Sequence, residues 1–240
     1  MRRGPWLLLA LLLPWPLPAL ASCRTALALG LDVSGSVDAG EYRQQLDGLA
    51  AALDNPQVRD ALRQIPSAPV RLMVYEWAGP TDQRILAPWS EIAGDPDIDA
   101  LRDRLRGKVQ QRRSPSTALG SAMAFGAATL AKQDCWRRVL DLSGDGIQNA
   151  GPHPRTVGMA DITVNALVIG PDAAERAVRN GSLSDLTAYF RAYVLRGADA
   201  FVEPAAGFGS YEAAMVRKLL HELEGTPLAL NAPDRAGTLQ

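Results

Sequence analysis

Apolar residues along this chain fall into two alternating patterns. Continuous apolar runs of strand length occur at Ala26 to Leu31, Val70 to Trp77, Val139 to Ser143 and Ile162 to Ile169, with a short last one at Phe201 to Glu203. Runs of this kind predict strands buried on both faces of a parallel sheet. Between them apolar residues recur at helical spacing. Tyr42, Leu46, Leu49 and Leu53 predict an amphipathic helix that Asn55-Pro56 ends, and Pro56 opens a second, short helix carrying Val58, Leu62 and Ile65. Asp95 to Val109 predicts a charged helix with Ile98, Leu101 and Leu105 facing inward. Ala118 to about Ala131 is a helix of small residues suited to close packing on the sheet. Pro171 is followed by a polar helix and then by a second one with Leu183, Leu186, Phe190 and Tyr193 on one face. Tyr211, Met215, Leu219, Leu220 and Leu223 predict a closing helix. Gln83 to Trp89, after the Gly79-Pro80 turn, predicts a short strand returning antiparallel at the sheet edge.

Strands alternating with helices predict an α/β fold. Its sheet is doubly wound and mostly parallel, with helices on both faces and one antiparallel edge strand. There is no internal repeat and no linker, so residues 22–226 read as one domain, followed by a flexible Pro- and Gly-rich tail at 227–240. The first 21 residues read as a signal peptide. Arg2 and Arg3 form the positive start, Trp6 to Leu13 the apolar centre, and Ala19-Leu20-Ala21 the small-residue cleavage site. The apolar centre is too short to span a bilayer, so no transmembrane segment is expected. The protein is therefore expected to be exported, periplasmic or secreted. Cys23 has two readings. Leu20-Ala21-Ser22-Cys23 resembles a bacterial lipobox, which would make Cys23 a lipid-anchored N-terminus. Alternatively Cys23 pairs with Cys135, the only other cysteine, as is usual in an oxidising compartment. A formal charge of -1 over 240 residues gives no global field for nucleic acid, and the pairs Arg112-Arg113 and Arg137-Arg138 are too short for a nucleic-acid footprint.

The candidate chemistry lies on three loops. Asp32-Val33-Ser34-Gly35-Ser36 closes the first strand, and Asp38 and Glu41 directly after it form a capping-box pair opening the first helix. Strand-to-helix loops of this kind are where open α/β sheets bind ligands. Thr117 precedes the small-residue helix, and Asp145 follows the Val139–Ser143 strand within Gly144-Asp145-Gly146. Asp32, Ser34, Ser36, Thr117 and Asp145 supply two carboxylates and three hydroxyls, an oxygen-only set suited to a hard cation: Mg²⁺, with Mn²⁺ or Ca²⁺ as alternatives. Neutral hydroxyls leave such an ion electrophilic, so it would attract a carboxylate from a partner. Any one of these motifs alone is ordinary turn and N-cap chemistry; it is their order relative to strands and helices that points to a metal.

With these motifs the chain resembles the von Willebrand factor A domain from about Arg24 to Gly225. Leu31-Asp32-Val33-Ser34-Gly35-Ser36-Val37 is similar to the first metal motif of that superfamily, Ser116-Thr117-Ala118-Leu119-Gly120 to its threonine motif, and Asp141-Leu142-Ser143-Gly144-Asp145-Gly146 to the third. Together with Glu76-Trp77 and Trp136-Arg137-Arg138, the pattern is similar to a family of exported bacterial proteins known only as a domain of unknown function. The resemblance implies a metal-ion-dependent adhesion site. Ser34, Ser36 and Thr117 would be direct ligands, with Asp32 and Asp145 acting directly or through water. It implies a binding module that captures an Asp or Glu of a protein partner. It also places the first and fourth strands side by side. Cys23, nine residues before Asp32, and Cys135, ten before Asp145, would then lie at similar depth at the far end of the sheet, within reach of a disulfide. One departure from the superfamily is the stretch from Asn149 to Ile162, which with Pro152 and Pro154 has little room for the usual helix.

A rival enzymatic reading is a phosphatase of the haloacid dehalogenase type, with Asp32 as nucleophile, Lys132 as its lysine and Gly144-Asp145-Gly146 as its acidic loop. It needs a second acid two residues after the nucleophile to protonate the leaving group, and that position is Ser34. A third reading is a structural domain with a vestigial metal site. His153 and His221, the only histidines, neighbour no nucleophile, and no G-x-S-x-G is present. Asp141 interrupts an apolar strand. It would either brace the metal loop from behind the ligands or be satisfied by local backbone or Arg138.

Overall fold

The structure is a computed structural model describing residues 23–111, 113–171 and 182–224. The signal segment, the C-terminal tail, Arg112 and most of the polar helix expected after Pro171 lie outside the described residues. All ten residues of β1 (Cys23–Asp32) are buried, because both faces of the strand are covered. Leu27, Leu29 and Leu31 point into one core, and Ala26 and Ala28 into the other. β1 pairs in parallel with β2 (Val70–Trp77) on one side and β4 (Cys135–Gly144) on the other. β5 (Thr163–Ile169) and β6 (Val202–Ala205) continue in parallel beyond β4. β3 (Gln83–Ile92) runs antiparallel to β2 at the edge, so the sheet order is β3-β2-β1-β4-β5-β6.

Helices cover both faces. α1 (Ala39–Asp54), α2 (Pro56–Arg63), α3 (Asp95–Arg106) and α6 (Tyr211–Glu224) contribute to the first core. α4 (Leu119–Leu130) and α5 (Leu183–Tyr193) contribute to the second. The capping box of α1 forms as expected: Asp38 Oδ1 accepts the Glu41 N–H and Glu41 Oε2 accepts the Asp38 N–H, both at 2.8 Å. Of the elements that differ in length from their sequence pattern, two stand out. β4 starts four residues before Val139, and Trp136, in that added segment, is 43% exposed. No apolar run announces this segment because the strand is fully buried only from Val139 onward, and Trp136, Arg137 and Arg138 before it are partly or largely exposed. α3 ends at Arg106, where Gly107 follows, although the charged pattern continues to Val109. The stretch from Asn149 to Ile162 holds a single turn of 3₁₀ helix, Pro154–Thr156.

Cys23 and Cys135 are register partners at the starts of β1 and β4 and are joined by a disulfide, with Cα atoms 4.6 Å apart. No described helix is long and apolar enough to cross a membrane. The chain leaves β1 toward β2 on one side and returns to β4 on the other, so the strand order reverses between β1 and β4. A crevice opens at such a point beyond the carboxyl ends of the strands, and Asp32 and Asp145 stand at those two ends.

Candidate metal centre

At the end of β1 the Val33 N–H still bonds to Trp77 O at 2.9 Å, and the chain then turns sharply. The Ser34 N–H donates to Asp32 Oδ1 and the Val37 N–H to Ser34 O, each at 2.9 Å. This turn brings the hydroxyls of Ser34 and Ser36 within 3.4 Å of each other. Ser36 Oγ donates to Asp145 Oδ1 at 2.7 Å, and Thr117 Oγ1 donates to Ser34 Oγ at 3.2 Å. The structure thus brings together all five residues singled out from the sequence, in one chain of polar contacts.

The three loops also hold one another. Gly35 packs so closely on Pro115 that a side chain there would collide with it. The Thr117 N–H donates to Asn149 Oδ1 at 2.9 Å, and the Asn149 N–H returns a bond to Thr117 O at 3.0 Å. Gln148 Oε1 accepts the Gly120 N–H at 2.8 Å, serving an orphan donor in the first turn of α4 where Ala118 offers no side-chain cap. Gln45 of α1 donates to Asp32 O at 3.0 Å.

Asp32, Ser34, Thr117 and Asp145 are buried, Asp32 to 1% exposure. Burial first, and the nearby Asp145 carboxylate second, push the Asp32 pKa well up; hydrogen bonds from Ser34 and the Asp145 backbone oppose them. Asp32 Oδ2 is buried without a hydrogen-bond partner. Two buried acids at close quarters, one with an orphaned oxygen, surrounded by hydroxyls, fit a cation, which would relieve both the repulsion and the unmet acceptor. Among the described residues no three His, Cys, Asp or Glu side chains cluster for a metal, so a cation here would depend on the hydroxyls. That composition fits Mg²⁺, Mn²⁺ or Ca²⁺.

A second tier of residues supports the Thr117 loop. Glu76, buried in β2, accepts Tyr42 Oη at 3.0 Å and Arg84 Nε at 2.7 Å, and pairs with Arg113 Nη2. Arg113 also bonds to Asp82 Oδ1 at 2.7 Å, and Asp82 Oδ2 accepts the Ser114 N–H at 2.9 Å. Burial, then the Glu76 charge, push the Tyr42 pKa up to about 12. In the sequence Glu76 is visible only as part of a family pattern, and nothing local links it to Arg113.

Asp141 lies in β4, as the sequence placed it, but pairs with a residue the sequence did not suggest. Its Oδ1 is 3.0 Å from Lys218 Nζ of α6, and neither of its oxygens forms another hydrogen bond. Arg138, the alternative partner, lies 3.9 Å from Asp161. Lys132 follows α4 at the end of the sheet where β4 begins, opposite Asp32. His153 meets Tyr193 edge-on and His221 stacks on Phe201, so neither takes part in the site.

Solved structures share this fold at low sequence identity. Proximal thread matrix protein 1 from the mussel byssus, in a form with a zinc-occupied MIDAS motif, superimposes with a TM-score of 0.60 and 14% identity over 85% of this chain. This chain spans about half of that protein (48%). The pilus adhesin SpaC from Lactobacillus rhamnosus GG gives a TM-score of 0.56 and 12% identity, over 85% of this chain and 31% of its own. BatB, a conserved hypothetical protein from Bacteroides thetaiotaomicron, gives 0.52 and 13%, over 83% of this chain and 98% of its own. No curated protein matches the sequence. The fold is that of a von Willebrand factor A-like domain, and a family model matches residues 22–227: the chain belongs to the family described as "Protein of unknown function (DUF1194)".

Proposed function

We propose that this protein is an exported, metal-dependent protein-binding module. In this reading Asp32, Ser34, Ser36, Thr117 and Asp145 hold one divalent cation, Mg²⁺ or else Mn²⁺ or Ca²⁺, and the partner contributes an Asp or Glu side chain. The observation that carries it is the convergence of these five oxygen-bearing side chains at the reversal of strand order, with Asp32 Oδ2 buried and unbonded. The cation, when bound, supplies an electrophilic position for the incoming carboxylate. Ser34, Ser36 and Thr117 contribute no charge, which leaves that position electron-poor, while Asp32 and Asp145 balance the ion. A cavity of about 290 Å³ between the first loop and the segment before Thr117, lined by Gln110, Gln111, Arg113 and Ser114, gives neighbouring partner residues room beside the site. The zinc-occupied MIDAS motif of the mussel protein supports a metal at a site of this kind.

A binding role is favoured over phosphate hydrolysis for two reasons. The position for a leaving-group acid is Ser34, and Lys132 stands at the opposite end of the sheet from Asp32. Calorimetry with Mg²⁺ or Mn²⁺ is expected to show one site, strongly weakened in Asp32→Ala and in Thr117→Ala; undiminished binding in both variants overturns the assignment. Partner capture from the exported fraction is expected to be lost with chelator. Mg²⁺-dependent hydrolysis of a phosphomonoester, abolished in Asp32→Asn, would replace this reading with the phosphatase.

A further inference from the structure

Three ionisable side chains and a carboxamide meet between α6 and the sheet, closed off from solvent. Lys218 is 0% exposed, with Asp141 at 1% and Glu222 at 2%. Lys218 Nζ stands 3.0 Å from Asp141 Oδ1 and 2.7 Å from Glu222 Oε1. Asn165 of β5 donates to the same Glu222 oxygen at 2.8 Å, while its own Oδ1 accepts the Phe201 N–H at 3.1 Å. The Phe201 ring covers Nζ at 4.8 Å and is backed by the stacked His221 ring. The Tyr75 and Tyr211 hydroxyls near Asp141 are engaged with Ala122 O and Ser143 Oγ.

Fully ionised, this cluster places one cation against two anions. A net negative charge is then held where burial penalises every charge. The amine already touches a carboxyl group that has no other polar partner, and a second carboxyl touches the amine. Asn165 is tied at both ends of its carboxamide and holds Glu222 in place. These are the parts of an intramolecular amide synthesis: a nucleophile, an electrophile and a proton carrier, all buried.

We propose that Lys218 and Asp141 are joined after folding by an isopeptide bond, with Glu222 carrying the protons. Glu222 takes a proton from the Lys218 ammonium, and the freed lone pair attacks Asp141 Cγ. The Nζ–Cγ bond forms, and one Cγ–O bond of the tetrahedral carbon breaks. The departing oxygen leaves as water with the two protons lost from nitrogen, the last delivered through Glu222, which returns to its starting state. An ammonium and a carboxylate become a secondary amide and one water, and no oxidant or other reactant is required. Juxtaposition in one buried cluster, with Nζ 3.0 Å from an oxygen carried by Asp141 Cγ, supplies the effective concentration. The product replaces a buried ion pair by a neutral group spanning the same gap.

Burial first, opposed by the Lys218 charge and reinforced by that of Glu222, pushes the Asp141 pKa up to about 7, so its carboxyl readily holds a proton that Glu222 passes on from Lys218 and stands as the uncharged electrophile. Burial also works against the Lys218 ammonium, but the two carboxylates hold its pKa above the ordinary value. Proton transfer to Glu222 therefore gates a slow step made once per molecule.

Intact mass of the exported protein, reduced and denatured, reads the bond directly. The mature chain is expected to be one water lighter than its sequence, with a branched peptide linking the segments around Lys218 and Asp141. The full sequence mass overturns the proposal. A chain one ammonia lighter places the bond on Asn165 and overturns the Asp141 assignment. Lys218→Arg is expected to restore the full mass. Glu222→Gln, once shown by circular dichroism to be folded, is expected to do the same; a water-deficient mass in that variant removes Glu222 from the role of proton carrier.

Discussion

Thr117 is the point at which the three loops depend on one another. Its hydroxyl meets Ser34 of the first loop, and its backbone is gripped on both sides by Asn149 from the stretch after Asp145. Thr117→Val keeps the shape and deletes only the hydroxyl, whereas Thr117→Ser keeps it. On the proposed role, Thr117→Val is expected to lose Mg²⁺ affinity by at least the roughly 10–100-fold that follows removal of a supporting partner, and Thr117→Ser is expected to stay near wild type; calorimetry checks both. Arg113 reaches the same loop from behind by bridging Glu76 and Asp82. Glu76 is buried, so Arg113→Ala leaves its charge with Arg84 as the remaining cationic partner. Stripping one partner from a buried pair costs about 3–5 kcal/mol, and the retained Arg84 places the expected loss at the low end of that range. Arg113→Lys keeps the charge without the fork that spans two acids and is expected to fall between. Urea unfolding measures the stability, and Mg²⁺ titration of the folded variants shows whether the loop has shifted.

At the scale of elements, α4 carries the tightest fit. A Cβ at Gly120 would overlap the carbonyl oxygen of Pro152, in the stretch that holds only a 3₁₀ turn. Gly120→Ala must push that backbone aside. The expected cost is about 1–3 kcal/mol, seen as a fall in melting temperature of about 2–4 °C per kcal/mol for a domain of this size. An unchanged melting temperature would show the Pro152 segment to be free to yield. Elements whose identity is written locally were legible in the sequence: β2 matches its apolar run from Val70 to Trp77, and α2 begins at Pro56. The three candidate loops stood out for the same reason, since hydroxyls, acids and glycines next to a strand end form a local pattern. The start of β4 was not, because Arg137 and Arg138 there are only partly buried and break the apolar run. Partnerships across the fold were not legible either. Glu76 and Arg113 are 37 residues apart, and Asp141 meets a lysine on the last helix. No local spacing announces such pairs; the packing of α6 and of the Thr117 loop decides them.

The whole molecule is organised by two neighbouring strands. β1 and β4 are bridged at one end by Cys23–Cys135 and carry Asp32 and Asp145 at the other, with a parallel ladder in a single register between. The disulfide spans a sequence separation of 112 residues, so in the chain-entropy model it restrains the unfolded state by up to about 4–5 kcal/mol. Loss of a native bridge in a small secreted domain typically costs about 2–5 kcal/mol. The bridge therefore acts chiefly on the unfolded chain, while the ladder positions the acids in the folded one. Reduction, or Cys135→Ala, is expected to lower the unfolding free energy measured in urea by an amount in that range. Mn²⁺ affinity of the still-folded protein is expected to stay within about threefold, because hydrogen-bonded strands transmit little of a change at their far end. Stability and metal affinity falling together on reduction would show instead that the bridge sets the spacing of β1 and β4 along their whole length, and that the redox state of the compartment governs binding.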